Sequence, residues 1–533
     1  MSITPLVLSK FLIFFLIFYI EPHIYNLYNK LKKYERKITM EVTTLYVRST
    51  ARDAVLYWEK PIDTEKSDSY QILIDEILIG TTTETYLVIS DLKPDTRYRS
   101  TVLRNGSLFA QTEFCTEKIK RRIDVTAPPF SAIPDGTTMN TNALQKAFDQ
   151  CGPLDEVYFP PGIYLTGALT LHNHMSIYLD ENAILQGSSL PEDYLPRIKS
   201  RFEGTELECY QSLLNLGVLD HNSKPSYGHV RIGGKGTISG GGALLAERII
   251  DAETQRLKEY LESHKELVAS CENSRTIPGR VRGRLINLSN CCDVRITGLT
   301  LQNGASWNVH MIYCDDIVTD HCTFRSEGIW NGDGWDPDSS SNCTLFACDF
   351  YTEDDSVAIK SGKNPEGNQI SRPCSHIRIF SCNSFCGHGI CIGSEMSGGV
   401  SDVHIWDCDI ARSSNGFEIK GTTKRGGFVK NILVQDCHFP RLLIHSVPYN
   451  NDGIPAPHPP VFENFSFHRI VLTGKKIEHG FISKVEPLDI QGFSAPDYEV
   501  KKIYLKNCIF PQSSTFYFSL CSELNIENIS FKM

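Results

Sequence analysis

Between Glu41 and Glu117 apolar and polar residues alternate in short runs such as "TLYVRS", "AVLYWEK", "SYQILID", "TYLVIS" and "RYRSTVLR". A period of two over four to eight residues predicts half-buried strands, so this segment reads as an all-β domain. After a presumptive linker, "RRIDVTAPPF", the pattern changes. "NALQKAFDQC" predicts one amphipathic helix, Asn142 to Cys151, and from there strands become very short while Asn and Gly punctuate the turns. Helical periodicity returns only in "ALLAERIIDAETQRLKEYLESHKELVAS", Ala243 to Ser270, which predicts an inserted helical segment.

Repetition in the second part decides its architecture. Cysteines end strand-like runs in "DHCTF" (Cys322), "FACDF" (Cys348), "FSCNSF" (Cys382), "WDCDI" (Cys408) and "QDCHF" (Cys437), at separations of 26, 34, 26 and 29 residues, with "KNCIF" (Cys508) in the same setting further on. An irregular period of this size, with one strand-rich unit per repeat, predicts a parallel β-helix. Equivalent positions then stack about 4.8 Å apart, and residues distant in sequence become neighbours on one face. In the first part, Trp58 and "LKPDTRY" (Leu92 to Tyr98) resemble the core Trp and tyrosine corner of fibronectin type III domains. The expected fold class is mainly β: a right-handed parallel β-helix over residues 127–533, preceded by a small fibronectin type III-like β-sandwich over residues 40–118 and an apolar segment with a basic linker over residues 1–39.

Composition narrows the partners. The 533 residues are 41% hydrophobic and 22% charged, which is globular and not disordered, and 63 acids against 53 Lys and Arg give a net charge of −10. That balance offers no reason to expect nucleic acid, but a local basic pocket could still take an anionic substrate. The 18 cysteines lack the paired spacing of a disulfide scaffold or a zinc site, and small buried residues stacked along a repeat explain them better. So many expected free thiols favour a reducing compartment.

The N-terminus bears on location. "ITPLVLSKFLIFFLIFYI", residues 3–20, is apolar enough for possible membrane association, yet Pro5 and Lys10 interrupt it, a basic cluster follows it, and no small-residue cleavage site is evident. Either the segment spans with the remainder inside, or translation starts at Met40. Both routes predict a cytoplasmic enzyme.

Candidate chemistry lies in "WNGDGWDPDSSSNCTLFACDFYTEDDSVAIKSG" (Trp330 to Gly362) and the two repeats after it. Asp333 in "NGDG", Asp354 and Asp355 in "EDDS", His388 in "GHGI" and Lys420 in "FEIKG" each occupy a comparable place in successive repeats, and a β-helix would stack them into one stripe. Taken singly, each is more simply a turn or surface residue. Together they indicate a cleft. Carboxylates on adjacent coils cannot all ionise normally, so a proton donor should stand beside a base, as glycosidic hydrolysis requires. No nucleophile elbow, phosphate loop or zinc motif is present, and no cofactor or metal is expected.

These motifs resemble those of glycoside hydrolase family 28, the polygalacturonases: "NGD" (Asn331 to Asp333), "DD" (Asp354, Asp355), "GHG" (Gly387 to Gly389) and "EIK" (Glu418 to Lys420) stand where the family has Asn-Thr-Asp, Asp-Asp, Gly-His-Gly and Arg-Ile-Lys. The likeness extends from about Ala127 to the C-terminus through "FPPGIYLTGAL", "GKGTISGGG" and "GSEMSGG". It implies inverting hydrolysis of α-1,4-galacturonosidic bonds in pectic oligosaccharides. Asp354 would be the general acid, Asp333 and Asp355 would activate water, and His388 would support the acid. Lys420, with Glu418, Asn331, Gly387 and Gly389 around it, would contact substrate. The domain before the β-helix and "GSEMSGG" resemble exo-acting bacterial members, although sequence leaves endo and exo action open, and most of the family is secreted.

Two departures stand out. Gly332 replaces Thr, and Glu418 replaces Arg, reversing a charge where a substrate carboxylate is expected. Lys363, Arg372, Lys424 or Arg425 could replace that cation. If Lys420 or Arg425 neutralises Glu418, then Glu418→Arg should keep or improve activity. The rival readings are a pectic hydrolase acting on a modified or rhamnose-containing chain, a calcium-dependent pectate lyase, and a non-catalytic glycan-binding β-helix.

Overall fold

A computed structural model describes residues 43–448, 452–512 and 514–532. The apolar stretch at residues 3–20 lies outside them, and among the described residues no helix is long and apolar enough to cross a membrane.

The chain divides into two units, residues 1–119 and 120–533. In the first, strands Tyr46–Ser49, Ala54–Tyr57 and Tyr86–Ile89 form one antiparallel sheet, and Ile77–Thr82, Tyr70–Ile74, Arg97–Arg104 and Ser107–Cys115 form a second. The alternation seen in sequence is the reason. In Tyr70–Ile74 residues 70, 72 and 74 are buried and the two between them are not, which suits a strand with one face on a core. Trp58 is 1% exposed and packs on Tyr70 at 5.0 Å between ring centroids. Tyr98 Oη accepts a hydrogen bond from Lys93 N–H at 2.8 Å.

The second unit is a right-handed β-helix in which each coil gives one strand to each of three faces. A 13-stranded sheet, an 11-stranded sheet and a narrower face of seven and then four strands are built from parallel pairings. The unit begins earlier than the sequence suggested. Arg121–Asp124, inside the expected linker, pairs in parallel with Asp155–Tyr158 and is the edge strand of the long sheet. Polar alternation in a strand exposed at an edge looks the same as a linker until its partner is known.

The amphipathic helix spans Thr141–Asp149, with Leu144, Ala147 and Phe148 buried over the first coils. The insertion breaks into Gly242–Arg256, Lys258–Ser263 and Lys265–Ala269, of which only the first buries an apolar face. Inside the coils like stacks on like. Phe346, Phe380 and Trp406 lie 4.8 and 4.4 Å apart on successive turns, near the strand spacing. Cys322, Cys348, Cys382, Cys408, Cys437 and Cys508 are all buried at one corner, and all 18 thiols are free. Left-handed residues, Asp293, Asp316, Asn342, His376, Asp402 and Asn431, recur at the same point of the long sheet in successive coils. Asn and Asp tolerate this conformation because their short side chains can bond locally.

Candidate active site

The 11-stranded face carries the chemistry. Five of its successive strands are Trp335–Asp338, Asp355–Ile359, Gly389–Ile392, Gly416–Gly421 and Leu442–Ser446. Asp333, Asp354 and His388 stand just before the first three, at the corner where the chain enters the sheet, and Asp355 opens the second. All four line a cleft of about 690 Å³ together with Lys420.

Lys420 does not continue the same stripe. Asp355 is in register with Gly389 and Gly416, whereas Lys420 stands near the far end of the strand that Gly416 opens. Lys360 directly follows the strand Asp355–Ile359, two coils earlier, and the slip at Ser356 brings it into line with Lys420. Acids at strand starts and lysines at strand ends thus form two adjacent rows. Sequence spacing misses this because one bulge changes which residues stack.

The rows are tied together. Lys420 Nζ is 3.2 Å from Asp355 Oδ2, and Lys360 Nζ is 3.0 Å from Asp333 Oδ2 and 3.4 Å from Asp336 Oδ1. Glu395 Oε2 is 3.8 Å from the same ammonium, which sits 4.4 Å above the Trp307 ring. His388 Nδ1 lies 2.9 Å from Asp354 Oδ1 and 3.3 Å from Asp355 Oδ1. Of the three sequence-predicted acids only Asp354 is appreciably open, with 26% of its side chain exposed against 4% for Asp333 and Asp355.

These contacts divide the protons unequally. Burial raises Asp333 well above the usual carboxylate range; Lys360 offsets part of this, and the neighbouring acids add to the rise. Burial likewise pushes Asp336 up to about 7. At Asp355 burial acts the same way, but Lys420 and His388 prevail and hold it ionised well below the ordinary range. Burial would lower His388; the two acids beside it win and push it up to about 11. For Asp354 the His388 imidazolium overcomes burial, and the net shift is downward. The crowded acids do divide, but the raised carboxyls are Asp333 and Asp336, whereas Asp354, the expected general acid, is lowered in the absence of substrate. Asp354, Asp355 and His388 also bring oxygen and nitrogen atoms within 4.8 Å of one another. The proton that His388 retains makes that cluster an ion pair.

Glu418 is in the cleft wall with 3% of its side chain exposed. His445 Nε2 lies 2.6 Å from its Oε1, and Asn415 Nδ2 donates to its Oε2 at 2.9 Å, with Lys420 Nζ at 3.8 Å. Burial would raise this carboxyl, yet Lys420 and His445 more than compensate, and it stays ionised. Neutralisation thus comes from Lys420 and His445. Arg425 instead donates to Ser394 O and Asn364 Oδ1, Arg372 to Ser223 O and Tyr313 O, and Lys363 pairs with Asp452. None of these, nor Lys424, lines the cleft; its cations are Lys360, Lys420 and Arg441, with His388 and His445.

The remaining expected contacts are partly structural. Asn331 lines the cleft while accepting from Arg282 Nη2 at 2.7 Å. Gly387 and Gly389 flank His388 at φ +75° and +105°, and a Cβ on either would meet a backbone oxygen, Asp354 O at 2.4 Å or Gly416 O at 2.3 Å. Their role is to bring His388 against Asp354. At Gly332 a Cβ would come within 2.7 Å of Ile329 O, which accounts for the missing side chain. Asp336, Lys360, Trp307, Asn415, Arg441 and His445 were not singled out in sequence. Asp336 and Lys360 stand inside "DGWDPDSS" and "DDSVAIKSG", but only pairing across coils gives either a partner.

The chain matches the model of glycosyl hydrolases family 28 over residues 224–442, a span containing every residue of the two rows. It is 31% identical to a probable polygalacturonase of Vitis vinifera over 323 residues, covering 57% of this chain and 58% of that protein. It is 25% identical over 541 residues to an exo-poly-alpha-D-galacturonosidase of Dickeya chrysanthemi, covering 90% of this chain and 88% of that one. The fold superposes on a family 28 exopolygalacturonase from Yersinia enterocolitica with a TM-score of 0.77 at 22% identity, over 92% of this chain and 96% of that one. A β-helix with acids at successive strand starts, a histidine on the half-buried acid and these relatives point the same way as the family model: residues 224–442 match glycosyl hydrolases family 28.

Proposed function

We propose that the protein hydrolyses galacturonosidic bonds of pectic oligosaccharides from a chain end, by an inverting acid/base mechanism. The observation carrying this is the half-buried Asp354 carboxyl that faces the cleft, held against His388 and backed by an ionised Asp355. His388 and Asp354 hold one proton between them. When a sugar displaces water, separated charge becomes costlier, and the neutral acid–imidazole pair gains on the ion pair. Asp354 then protonates the departing glycosidic oxygen. Asp355 accepts the proton of the attacking water, which Asp333 orients, and Lys420 keeps Asp355 ionised until that moment. Water attack on the face opposite the leaving group inverts the anomeric centre.

Release from one end is supported by segments that meet at the cleft. The hairpin of Ile198–Phe202 and Thr205–Cys209 brings Glu203 to the lining, and Glu272 reaches it from the inserted segment. Arg280 ties Glu203 to Asp452, bonding Glu203 Oε2 at 2.8 Å and Asp452 Oδ2 at 3.1 Å. Arg201 anchors the hairpin on the floor through Asp338 Oδ1 at 2.8 Å. The relative from Dickeya is named for exo action.

Oligogalacturonides of defined length test this. One small saturated product from the first time point, of inverted anomeric form, is expected. A ladder of products refutes exo action, an initial α-anomer refutes inversion, and an unsaturated ultraviolet-absorbing product would make the enzyme a lyase.

A further inference from the structure

The cation missing at position 418 has a counterpart one coil further on. Phe417 pairs with Leu442, so Gly416 lies opposite Arg441, and Asp355, Gly389, Gly416 and Arg441 form one row. Three coil spacings of about 4.8 Å separate Asp355 from Arg441, roughly 14 Å. The two positions between them are glycines, so no side chain blocks the lane joining the catalytic acid to the arginine. Arg441 lines the cleft and is half-buried. Its Nη2 donates to Asn415 Oδ1 at 2.5 Å, its Nε–H is buried without a partner, and it makes no ion pair among the described residues. Asn415 is itself held, since its Nδ2 donates to Glu418 Oε2 at 2.9 Å and its backbone N–H to His388 O at 3.0 Å.

A half-buried guanidinium with one edge fixed by an amide and a buried N–H left over is poised for a planar anion. An unmet buried donor is costly, and a ligand carboxylate would satisfy it. We infer that Arg441 binds the carboxylate of a uronate unit lying toward the C-terminal coils from the cleaved bond, and that Asn415, fixed by Glu418, positions it. Resting on the galacturonosidase reading above, this makes Glu418 a support for the substrate's counter-ion. Its own charge is already met by His445, Lys420 and Asn415, so it does not repel the uronate. The acid preference that an arginine at position 418 would supply is here moved to Arg441.

The test compares wild type, Arg441→Gln, Arg441→Lys and Asn415→Ala on an oligogalacturonide and its methyl ester, with thermal melts to show that each variant is folded. Arg441→Gln should raise KM for the free acid by roughly 10- to 100-fold, leave the ester nearly unchanged and collapse the preference for acid over ester. Arg441→Lys, which keeps the charge and loses the fork, should fall between, and it carries the test if the Gln variant fails to fold. Asn415→Ala should weaken acid binding with no change of charge at position 441. If Arg441→Gln and Arg441→Lys lower kcat alone, or keep the wild-type acid preference, the inference is overturned while the galacturonosidase reading stands. Wild type inactive on the free acid would overturn both.

Discussion

Replacing Glu418 by arginine, the residue its relatives' motif would suggest, should damage this protein. The glutamate is buried and ionised, with His445 at 2.6 Å, Asn415 at 2.9 Å and Lys420 at 3.8 Å. Sequence alone predicts that Glu418→Arg keeps or improves activity. The structure reverses that expectation, because a guanidinium there would stand beside Lys420 and Arg441 in place of the carboxylate that now offsets both. Removing one partner of a buried ion pair costs ~3–5 kcal/mol. A guanidinium roughly 4 Å from the Lys420 ammonium adds about 4 kcal/mol of repulsion at an effective dielectric constant of 20. Together these approach ~8 kcal/mol, a large part of the 5–15 kcal/mol typical of a folded domain. Glu418→Gln keeps the shape, loses the charge and should cost ~1.5–3 kcal/mol. With an unfolding entropy of ~2.1 cal/mol/K per residue, the unit of about 400 residues loses about 1 °C of Tm per kcal/mol. The Gln variant should therefore melt about 2–3 °C below wild type and the Arg variant about 8–9 °C below, with a larger loss of kcat/KM on oligogalacturonate in the latter. Calorimetry and initial rates decide it. A Glu418→Arg protein that melts with wild type and matches its kcat/KM would refute the charge argument.

Further outcomes follow from the same contacts. Asp354→Asn should remove turnover by roughly 100- to 10,000-fold in initial-rate assays while leaving the melt near wild type, and a loss below tenfold would take the acid role from Asp354. Asp336 holds its proton up to about pH 7, so kcat/KM on anionic oligomers should fall as pH rises through that value, when a further negative charge appears beneath the cleft; Asp336→Asn should abolish this limb. The same raised carboxyl contributes stability that is fully present below its unfolded pKa near 4 and is lost as pH rises toward about 7, which melts across that interval can follow. Lys360→Met leaves Asp333, Asp336 and Glu395 buried without their shared cation and should cost ~3–5 kcal/mol in denaturant titrations. Gly387→Ala drives a Cβ to 2.4 Å from Asp354 O at φ +75° and should lower kcat by displacing His388, with the alkaline shoulder of the pH profile moving as the His388–Asp354 pair loosens.

Local pattern in the chain already determines the β-helix and much of its active face. Cysteines recurring at one corner, and rare polar residues punctuating successive repeats, are short-range signals, because each coil repeats one local conformation and stacking does the rest. Asp333, Asp354, Asp355 and His388 were legible for that reason. The boundary at Lys120 was not, since the strand Arg121–Asp124 is defined by its partner Asp155–Tyr158 and carries no mark of its own. Nor was the second row: the slip at Ser356 brings Lys360 into line with Lys420, where Lys360 meets Asp336 and Glu395. Glu418 shows the division most plainly. In sequence it is a reversed charge, whereas its partners Asn415 and His445 lie 3 and 27 residues away and become partners only across a turn of the coil. A charge has its sign in the sequence, but its energy depends on what surrounds it within a few ångströms, and only tertiary structure sets that distance.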